Sequence, residues 1–299
     1  MIAITGGSGF IGSHIVDKLL QQGSQVRILD PRLPHRRDVE YSATDVTDLD
    51  ALCQGLKGTS AVFHLAAVSN VNVAFREPIA TVKLNDLGTV NVLEAARRND
   101  LERVFFASTV WVYAGCREEQ VDEETPFQMP GAGHVYTSSK IAAEFYLHDY
   151  HELYGLRFTI LRYGIPYGPR AREGTVVPIF VKKVLSGEPI TIYGDGNQFR
   201  NFLYVEDLAE GNVLAMAREG VNQTFNLEGM RPISVKEVAE TINAIVGGAQ
   251  IVFEPARPGD YRGKVVSAEK AKRVLGWQPQ VDFFEGMTRY VAWYRATLR

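Results

Sequence analysis

The sequence predicts an α/β protein in which a doubly wound parallel β-sheet is followed by a smaller mixed α/β C-terminal domain. Short apolar strands alternate with amphipathic helices from the first residue onward, as in a parallel sheet covered by helices on both faces. The composition changes at 163–174, YGIPYGPRAREG, a segment that is rich in Gly, Pro and Arg and is typical of a chain leaving a domain. We therefore expect one domain over 1–164 and a second over 165–299, with 198–218 packing back on the first.

Each element of the first domain follows from the spacing of its apolar residues. The expected strands are Ile2–Thr5, Gln25–Leu29, Ala61–Leu65, Arg103–Ala107 and Phe158–Leu161, and the expected helices are Phe10–Gln22, Ile79–Arg98 and Val135–Leu153. In the second of these helices, the helical period places Val82, Leu84, Leu87, Val90, Leu93 and Ala96 on one inner face. The second domain is expected to contain strands Ile190–Tyr193, Thr224–Leu227 and Ile251–Glu254 and helices Val176–Leu185, Val205–Arg218, Val235–Val246 and Phe283–Thr297.

Composition excludes several classes of function. The 299 residues carry a net charge of −3, which gives no electrostatic reason to expect nucleic acid or an anionic membrane surface as a partner. The two cysteines, Cys53 and Cys116, form no CxxC motif, which indicates a reducing compartment and argues against a disulfide framework or a metal site. The N-terminal MIAITGG has no basic segment or cleavable apolar stretch, and no apolar run is long enough to span a bilayer. We expect a soluble cytoplasmic protein.

The first loop, TGGSGFIGSH, has the glycine spacing of a dinucleotide-binding turn. Gly6 can adopt the positive φ of a tight turn, Gly9 lets the backbone approach a pyrophosphate, and Gly12 lets the helix pack closely on the strand. The loop lies between a strand and a helix, and the free N–H groups at the start of that helix point at the phosphates. This context predicts a Rossmann-type sheet that binds a dinucleotide.

Asp30, at the end of the second expected strand, favours NAD over NADP. A carboxylate there accepts hydrogen bonds from the adenosine ribose and repels a 2′-phosphate. The cluster Arg32, Arg36 and Arg37 follows closely, which leaves NADP as the alternative, although a solvated basic loop explains these arginines better. Further on, Asp45 and Val46 are expected to flank the adenine ring, with a cap on the helix near Leu49 as the other role open to Asp45.

Tyr136 and Lys140 stand at i and i+4 in YTSSK, on one face of a helix. A free tyrosine has a pKa near ~10 and is a poor base at neutral pH. A neighbouring ammonium group stabilises the phenolate, so the pair is a candidate proton acceptor with its activating cation. By itself the spacing would also fit an ordinary surface pair.

The pair occurs together with other motifs in a fixed order. They are the glycine loop, Asp30, HLAA at 64–67, NDLGTVNVLEAA at 85–96, ST at 108–109, LRYGIPYGPR at 161–170, GDGNQFRNFLYVEDLA at 194–209, and RPGD with AEKAKRVLGWQP within 257–279. This set resembles the extended short-chain dehydrogenase/reductase family, in particular its NAD-dependent sugar epimerase/dehydratase group, whose members include UDP-glucose 4-epimerases. The resemblance covers nearly the whole chain.

The resemblance implies roles for residues throughout the sequence. Around the dinucleotide it implies Gly6, Gly9, Phe10, Ile11, Gly12, Leu65, Ala66, Ala67, Asn85, Tyr136, Lys140, Tyr163 and Pro166. It implies Thr109, Tyr136 and Lys140 as the catalytic set, and Tyr193, Arg200 and Arg257, with Thr109, as contacts of a nucleotide-sugar substrate that is UDP-linked. It also implies a homodimer, in which the helices Ile79–Arg98 and Val135–Leu153 of two copies pair in a four-helix interface.

Four positions depart from the family pattern. Ile165 stands where the family often has an Asn that binds the substrate phosphates, so a donor is lost, and Gly164 replaces a bulky neighbour. We expect the smaller Gly164 and Ile165 to give room for a sugar to rotate. His134 and Val135 replace the commoner Ser-Pro before the catalytic tyrosine. His134 either contacts the sugar or caps the helix, and we favour the cap.

Val110 and Trp111 follow Thr109 where related dehydratases carry an Asp-Glu pair and related decarboxylases carry a Glu two residues after the threonine. Neither side chain can give or take a proton. We therefore expect a 4-epimerase that oxidises C4 transiently with Tyr136 as base and needs only substoichiometric NAD. The alternatives are an NAD(P)-dependent reductase, dehydrogenase or dehydratase of a nucleotide sugar, and a non-enzymatic NAD-sensing module.

Overall fold

The computed structural model describes residues 1–128, 133–256 and 263–298, and its strands and helices alternate as the sequence predicts. The strands are β1 (Ile2–Thr5), β2 (Val26–Leu29), β3 (Glu40–Ser42), β4 (Ala61–His64), β5 (Arg103–Thr109), β6 (Gln120–Val121), β7 (Phe158–Tyr163), β8 (Ile165–Tyr167), β9 (Ile190–Tyr193), β10 (Phe199–Arg200), β11 (Phe202–Tyr204), β12 (Gln223–Leu227), β13 (Ile233–Ser234), β14 (Ile251–Glu254) and β15 (Val265–Val266). The helices are α1 (Phe10–Gln21), α2 (Leu49–Gly55), α3 (Val71–Arg76), α4 (Pro78–Val82), α5 (Gly88–Arg98), α6 (Val135–Tyr154), α7 (Val176–Leu185), α8 (Val205–Leu214), α9 (Val235–Val246), α10 (Glu269–Leu275) and α11 (Phe283–Thr297). Turns of 3-10 helix cover Val110–Tyr113 and Arg218–Gly220, and a π-helical turn covers Lys83–Leu87.

The central sheet has seven strands in the order β12-β7-β5-β4-β1-β2-β3, and every neighbouring pair is parallel. β1 lies between β2 and β4, so the chain reverses its direction of winding at this point. In open parallel sheets such a switch point leaves a crevice at the carboxyl ends of the strands, where ligands bind. The predicted Rossmann-type doubly wound fold is confirmed.

Helices cover both faces of this sheet, which explains why its strands are almost continuously apolar. On one face, Ile15 of α1 and Val213 of α8 share a core cluster. On the other face, Leu93 of α5 and Leu147 of α6 pack with Phe106 of β5. Helix α8 thus lies against the first unit, where residues 198–218 were expected to pack.

The predicted helix Ile79–Arg98 contains the π-helical turn Lys83–Leu87 between α4 and α5. A π turn inserts an extra residue per turn and rotates the helix face that follows it. Val82, directly before this turn, and Leu87, at its end, are 47% and 46% exposed, whereas Leu93 is buried. The expectation that Val82 and Leu87 point to the core is wrong.

The C-terminal unit has its own core, in which Val181 of α7, Ile242 of α9 and Met287 of α11 pack around Ile192 of β9. The expected boundary at residue 165 is too simple, because β12 pairs with β7 at the edge of the central sheet. The apolar side chains of β12, such as Phe225, complete the core beside β7 and α10. Within the described ranges, no helix combines the length and apolar content that a bilayer crossing requires.

Candidate active site

A cavity of about 360 Å³ opens at the carboxyl ends of β1, β4, β5 and β7, facing the start of α7. It brings together most of the predicted site residues: Gly6, Gly9, Phe10, Ile11, Gly12, Leu65, Ala67, Thr109, Tyr136, Lys140, Tyr163 and Pro166. The parallel sheet explains this convergence, since the carboxyl ends of its strands meet at one edge. We call this cavity the catalytic cleft.

The glycine loop forms one wall of the cleft and tolerates no side chains at two positions. Gly6 has a φ of +73°, and a Cβ there would lie 2.7 Å from the backbone nitrogen of Ala66. A Cβ on Gly12 would lie 2.3 Å from the Gly6 carbonyl oxygen. Helix α1 begins at Phe10 with Gly9 as its N-cap, and no side chain caps its first turn. The resulting cradle of free N–H groups fits an anionic pyrophosphate.

Asp30 lies behind this loop rather than in the cleft lining, and it is buried. Its carboxylate accepts hydrogen bonds from the backbone nitrogens of Ser8 at 3.2 Å and Arg32 at 2.9 Å. The Arg32 guanidinium also contacts the carboxylate, at 3.4 Å, and lies over Gly9 while remaining largely exposed. Asp30 therefore fixes Arg32 beside the loop.

Asp45 and Val46 are also outside the cleft lining. Asp45 accepts hydrogen bonds from the backbone nitrogen and hydroxyl of Thr47, both at 2.8 Å, and Val46 is buried. Helix α2 is capped by Asp48, whose carboxylate accepts from the Ala51 nitrogen at 2.9 Å. The alternative that Asp45 caps this helix is wrong, because Asp48 occupies the N-cap position.

Tyr136 is buried in the first turn of α6, and its hydroxyl is hydrogen-bonded to Thr109 at the end of β5. Burial raises the pKa of Tyr136 to about 12, an effect that the Thr109 hydrogen bond and the charge of Arg172 both oppose. His134 caps α6, because its Nδ1 accepts a hydrogen bond from the Thr137 nitrogen at 3.2 Å. Its ring stacks on Tyr136 with the centroids 5.9 Å apart, so it positions the tyrosine ring.

Lys140 lies one turn further along α6 and is only 4% exposed. Its Nζ donates a hydrogen bond to the Ala107 carbonyl at 2.8 Å and lies 4.6 Å from the ring centre of Phe106. Burial lowers the pKa of Lys140 to about 8, against the attraction of Glu144 and Asp86. The charge of Arg172 lowers the pKa of Tyr136 in this structure, and the ammonium of Lys140 is hydrogen-bonded to the backbone.

Asn85 belongs to the π-helical turn and lies beneath the cleft instead of lining it. Its side chain accepts from the Val68 nitrogen at 2.8 Å and donates to the Val68 carbonyl at 3.1 Å. It also donates to the Ser139 hydroxyl at 2.9 Å. Asn85 thus ties the segment after β4 to the helix that carries Tyr136 and Lys140. Ala66 likewise contributes backbone, against Gly6.

The described residues that line the catalytic cleft include no Asp, Glu or His. Val110 and Trp111 form a 3-10 turn after Thr109, and Trp111 lines the cleft. The expectation that Gly164 leaves room for a rotating sugar is wrong, since a Cβ there would lie 2.4 Å from Glu228 Oε1. The space beside Gly164 is filled by a buried carboxyl group.

Arg172 is a cleft residue that the sequence reasoning did not single out. It belongs to the Arg-rich segment after β8, which composition alone marked only as a loop. Its side chain is solvent-accessible, and desolvation followed by the charge of Arg32 lowers its pKa. Within the part of the chain that the structure describes, no carboxylate forms an ion pair with Arg172. The sequence did contain a signal for Arg172, since this residue follows the YGPR motif by two residues.

Apart from Thr109, the predicted substrate contacts lie outside the lining of the catalytic cleft or outside the described residues. Arg200 faces a second, smaller cavity, and its guanidinium carbon lies 5.5 Å from the ring centre of Trp111. Tyr193 ends β9 outside the lining of both cavities, and Arg257 lies outside the described residues. Tyr163 and Pro166 line the catalytic cleft, and the Tyr163 hydroxyl donates to Asn212 at 2.5 Å.

Comparison with known proteins agrees with this geometry. The model of the NAD dependent epimerase/dehydratase family matches residues 2–227. The UDP-glucose 4-epimerase of Mycolicibacterium smegmatis is 33% identical, over 98% of this chain and 97% of its own length. The UDP-glucuronate 4-epimerase of Thermodesulfobacterium geofontis is 30% identical, over 99% of this chain and 96% of its own.

Among solved structures, the UDP-glucose 4-epimerase of Thermotoga maritima with UDP-glucose has a TM-score of 0.92 and 34% identity, covering 100% of this chain and 99% of its own. Similar proteins also include a UDP-glucuronic acid decarboxylase and a dTDP-glucose 4,6-dehydratase. The similar proteins therefore include epimerases, a decarboxylase and a dehydratase, and relatedness does not distinguish between these activities.

Proposed function

The chain belongs to the NAD-dependent epimerase/dehydratase family, and from that premise we propose that it is a nucleotide-sugar 4-epimerase. The observation that carries the proposal is the cleft itself. Thr109, Tyr136 and Lys140 converge there, and no carboxylate or imidazole group accompanies them among the described lining residues.

The chain's own residues fit NAD. The glycine loop offers backbone N–H groups to a pyrophosphate, and Asp30 lies at the end of the second strand with Arg32 held against it. Tyr163 and Pro166 also line the cleft. When bound, NAD supplies the acceptor and then the donor of a hydride at the sugar carbon.

Proton transfer is the task of Tyr136 and its neighbours. Tyr136 takes the proton of the C4 hydroxyl, and Thr109, hydrogen-bonded to the same phenol, holds the oxygen of the resulting ketone. The pKa of about 12 means that the phenol is neutral at pH 7, so tyrosinate forms only with help from nearby positive charge. Lys140 and Arg172 are the cations that the cleft offers for this purpose.

The fate of the ketone follows from what the cleft lacks. Elimination of water requires an acid that protonates the leaving group and a base that takes a proton from the neighbouring carbon. Val110 and Trp111 can do neither. Return of hydride to the opposite face is then the open path, and it inverts C4 with no net redox change.

The decisive experiment incubates the enzyme with nucleotide hexoses and uronic acids and with NAD below the enzyme concentration. We expect NMR to show inversion at C4 and mass spectrometry to show an unchanged mass. A product lighter by one water or one carbon dioxide would contradict the proposal, and so would a requirement for stoichiometric NAD.

Arg172 favours a uronic acid over a neutral hexose as the substrate. Among the described residues no carboxylate forms an ion pair with it, and its charge acts on Tyr136. A hexuronic acid carries its carboxylate on C5, the carbon next to C4. The similar T. geofontis protein is named for UDP-glucuronate. An ion pair with Arg172 also keeps the negative charge on the carboxylate, which opposes its loss as carbon dioxide.

The test is Arg172→Gln, assayed with UDP-glucuronate and UDP-glucose. Because a hydrogen bond to a charged group contributes about 1.5–3 kcal/mol, we expect KM for the uronate to rise by about tenfold to hundredfold, with a smaller change for the hexose. Lys182→Gln is the control, since Lys182 pairs only loosely with Glu173, at 3.9 Å. Equal effects of Arg172→Gln on both substrates would reject the uronic acid.

A further inference from the structure

Glu228 is a buried carboxyl group with no evident structural purpose. It follows β12 directly, is 3% exposed, and lies beside Gly164 at the end of β7. Its Oε2 has no hydrogen-bond partner among the described residues, and the backbone nitrogen of Gly229 is the donor that acts on the carboxyl. An unsatisfied buried polar group of this kind is rare in native proteins and calls for an explanation.

The Glu228 carboxyl lines the second cavity. This cavity has a volume of about 30 Å³, and Glu228, Arg200 and Lys264 all line it. Trp111 and Ile165 line both this cavity and the catalytic cleft, so the two spaces are neighbours. We call it the side cavity.

A second buried group in the side cavity also lacks a partner. Asn201 Oδ1 accepts no hydrogen bond within the described part of the chain, although Asn201 is buried. Two cationic side chains, an unpaired carboxyl and an unpaired carbonyl oxygen thus surround one small space beside the reaction centre. Such a set matches a group that carries negative oxygens next to a hydroxyl, as the diphosphate and ribose of a nucleotide do.

We propose that the carboxyl group of Glu228 binds the diphosphate of the nucleotide sugar in the side cavity, as a hydrogen-bond donor where Ile165 has none. The inference rests on the proposed function for the identity of its ligand. The carboxyl donates in its neutral form, while Arg200 and Lys264 balance the phosphate charge. Asn201 Oδ1 accepts from a hydroxyl of the adjoining sugar.

Burial favours the neutral form, since desolvation raises the pKa of Glu228 well above its usual range. Arg200 and Lys264 are the charged side chains that face Glu228 across the side cavity. The part of the pH dependence of UDP binding that is lost when Glu228 is replaced by a side chain that does not ionise therefore reports on Glu228.

The test measures binding of UDP and of uridine to the NAD-loaded full chain by calorimetry, with three variants. Glu228→Met removes the donor, Glu228→Gln keeps a donor that does not ionise, and Glu123→Gln is the control. Glu123 is another carboxyl whose pKa is raised by burial, and it accepts from the Asn226 nitrogen outside both cavities.

We expect Glu228→Met to weaken UDP by about tenfold to hundredfold and to leave uridine nearly unchanged. Wild-type affinity for UDP should fall as rising pH ionises Glu228. Glu228→Gln should bind UDP without that dependence, and Glu123→Gln should behave as the wild type.

Three results would overturn the proposal. Unchanged UDP binding in Glu228→Met would mean that a water molecule satisfies the carboxyl. Equal losses for UDP and uridine would indicate a purely structural role. A large fall in kcat of Glu228→Gln with unchanged UDP affinity would make Glu228 an acid of the reaction. Because UDP binding requires no turnover, these outcomes are separate from a failure of epimerase activity, and the pH profile of Glu228→Gln remains informative if Glu228→Met does not fold.

Discussion

Replacing Lys140 by methionine should abolish most turnover and at the same time stabilise the fold. Lys140 is held charged in a buried position, where its pKa falls from the ordinary 10.5 to about 8. At ~1.36 kcal/mol for each pKa unit, this difference means that the charged form destabilises the folded state by about 3 kcal/mol. Methionine keeps the contact with Phe106 and loses the hydrogen bond to Ala107, which is about 1 kcal/mol. The net gain expected at pH 7 is about 2 kcal/mol.

The pH dependence of stability provides a second test of the destabilisation by the buried charge of Lys140. The folded pKa of Lys140 is lower than the unfolded one, so the unfolded state binds more protons between about pH 8 and 10.5. Stability contributed by this position therefore rises with pH across that window. The methionine variant lacks the rise, and other titrating groups cancel when the two proteins are compared.

Urea unfolding of the wild type and Lys140→Met, each at several pH values, measures the free energy of unfolding at pH 7 and its change with pH. Lys57→Met serves as the control, since Lys57 is exposed and its Nζ donates a hydrogen bond to Gln54 in the same segment. Turnover of Lys140→Met should fall by about 10²-fold or more, because one of the cations that line the cleft is lost. A variant that is less stable at pH 7 and keeps the wild-type pH slope would refute the reasoning.

Three further predictions concern the reaction, the cofactor and assembly. Tyr136→Phe should lower turnover by about 10²–10⁴-fold while far-UV circular dichroism and NAD binding are unchanged, and a near wild-type rate would show that another residue is the base. In a fluorescence titration, NAD should bind the apoprotein more tightly than NADP because of Asp30, and Asp30→Ala should shift the preference towards NADP. Tighter binding of NADP by the wild type would reject this role of Asp30. Light scattering at micromolar concentration should give a dimer mass for the wild type and a monomer mass for Ile79→Asp. Ile79 and Leu153 are 85% and 71% exposed on the two helices expected to pair. A monomeric wild type would exclude the interface.

The parts of the fold that were predictable from sequence are those that short-range patterns encode. The glycine loop lies between β1 and α1 because its spacing, its strand and its helix are all local features of the first 21 residues. The π-helical turn was not predictable from periodicity, since it depends on how Asn85 is bonded to Val68 and Ser139, which are distant in sequence from each other. The same holds for β12, whose place in the central sheet depends on its pairing with β7.

The catalytic pair was predictable for a similar reason. Tyr136 and Lys140 are four residues apart on one helix, so their proximity is fixed by helix geometry. Arg172 lines the cleft and Glu228 lines the neighbouring side cavity, and the packing of the sheet ends brings their separate segments together. A sequence signal existed for Glu228, because a charged residue directly after a buried parallel strand lies at the edge where ligands bind.

Gly164, Ile165 and Glu228 are best understood as one coupled feature. Any Cβ at position 164 would collide with the Glu228 carboxyl, so the buried acid requires the glycine. A buried carboxyl group with one unpaired oxygen costs about 1–3 kcal/mol of stability, and an apolar side chain of similar size at position 228 would avoid that cost. The fold therefore gains nothing from Glu228 while the side cavity is without a ligand. Its presence is explained by a partner that arrives with the substrate, next to an isoleucine that offers that partner no hydrogen bond.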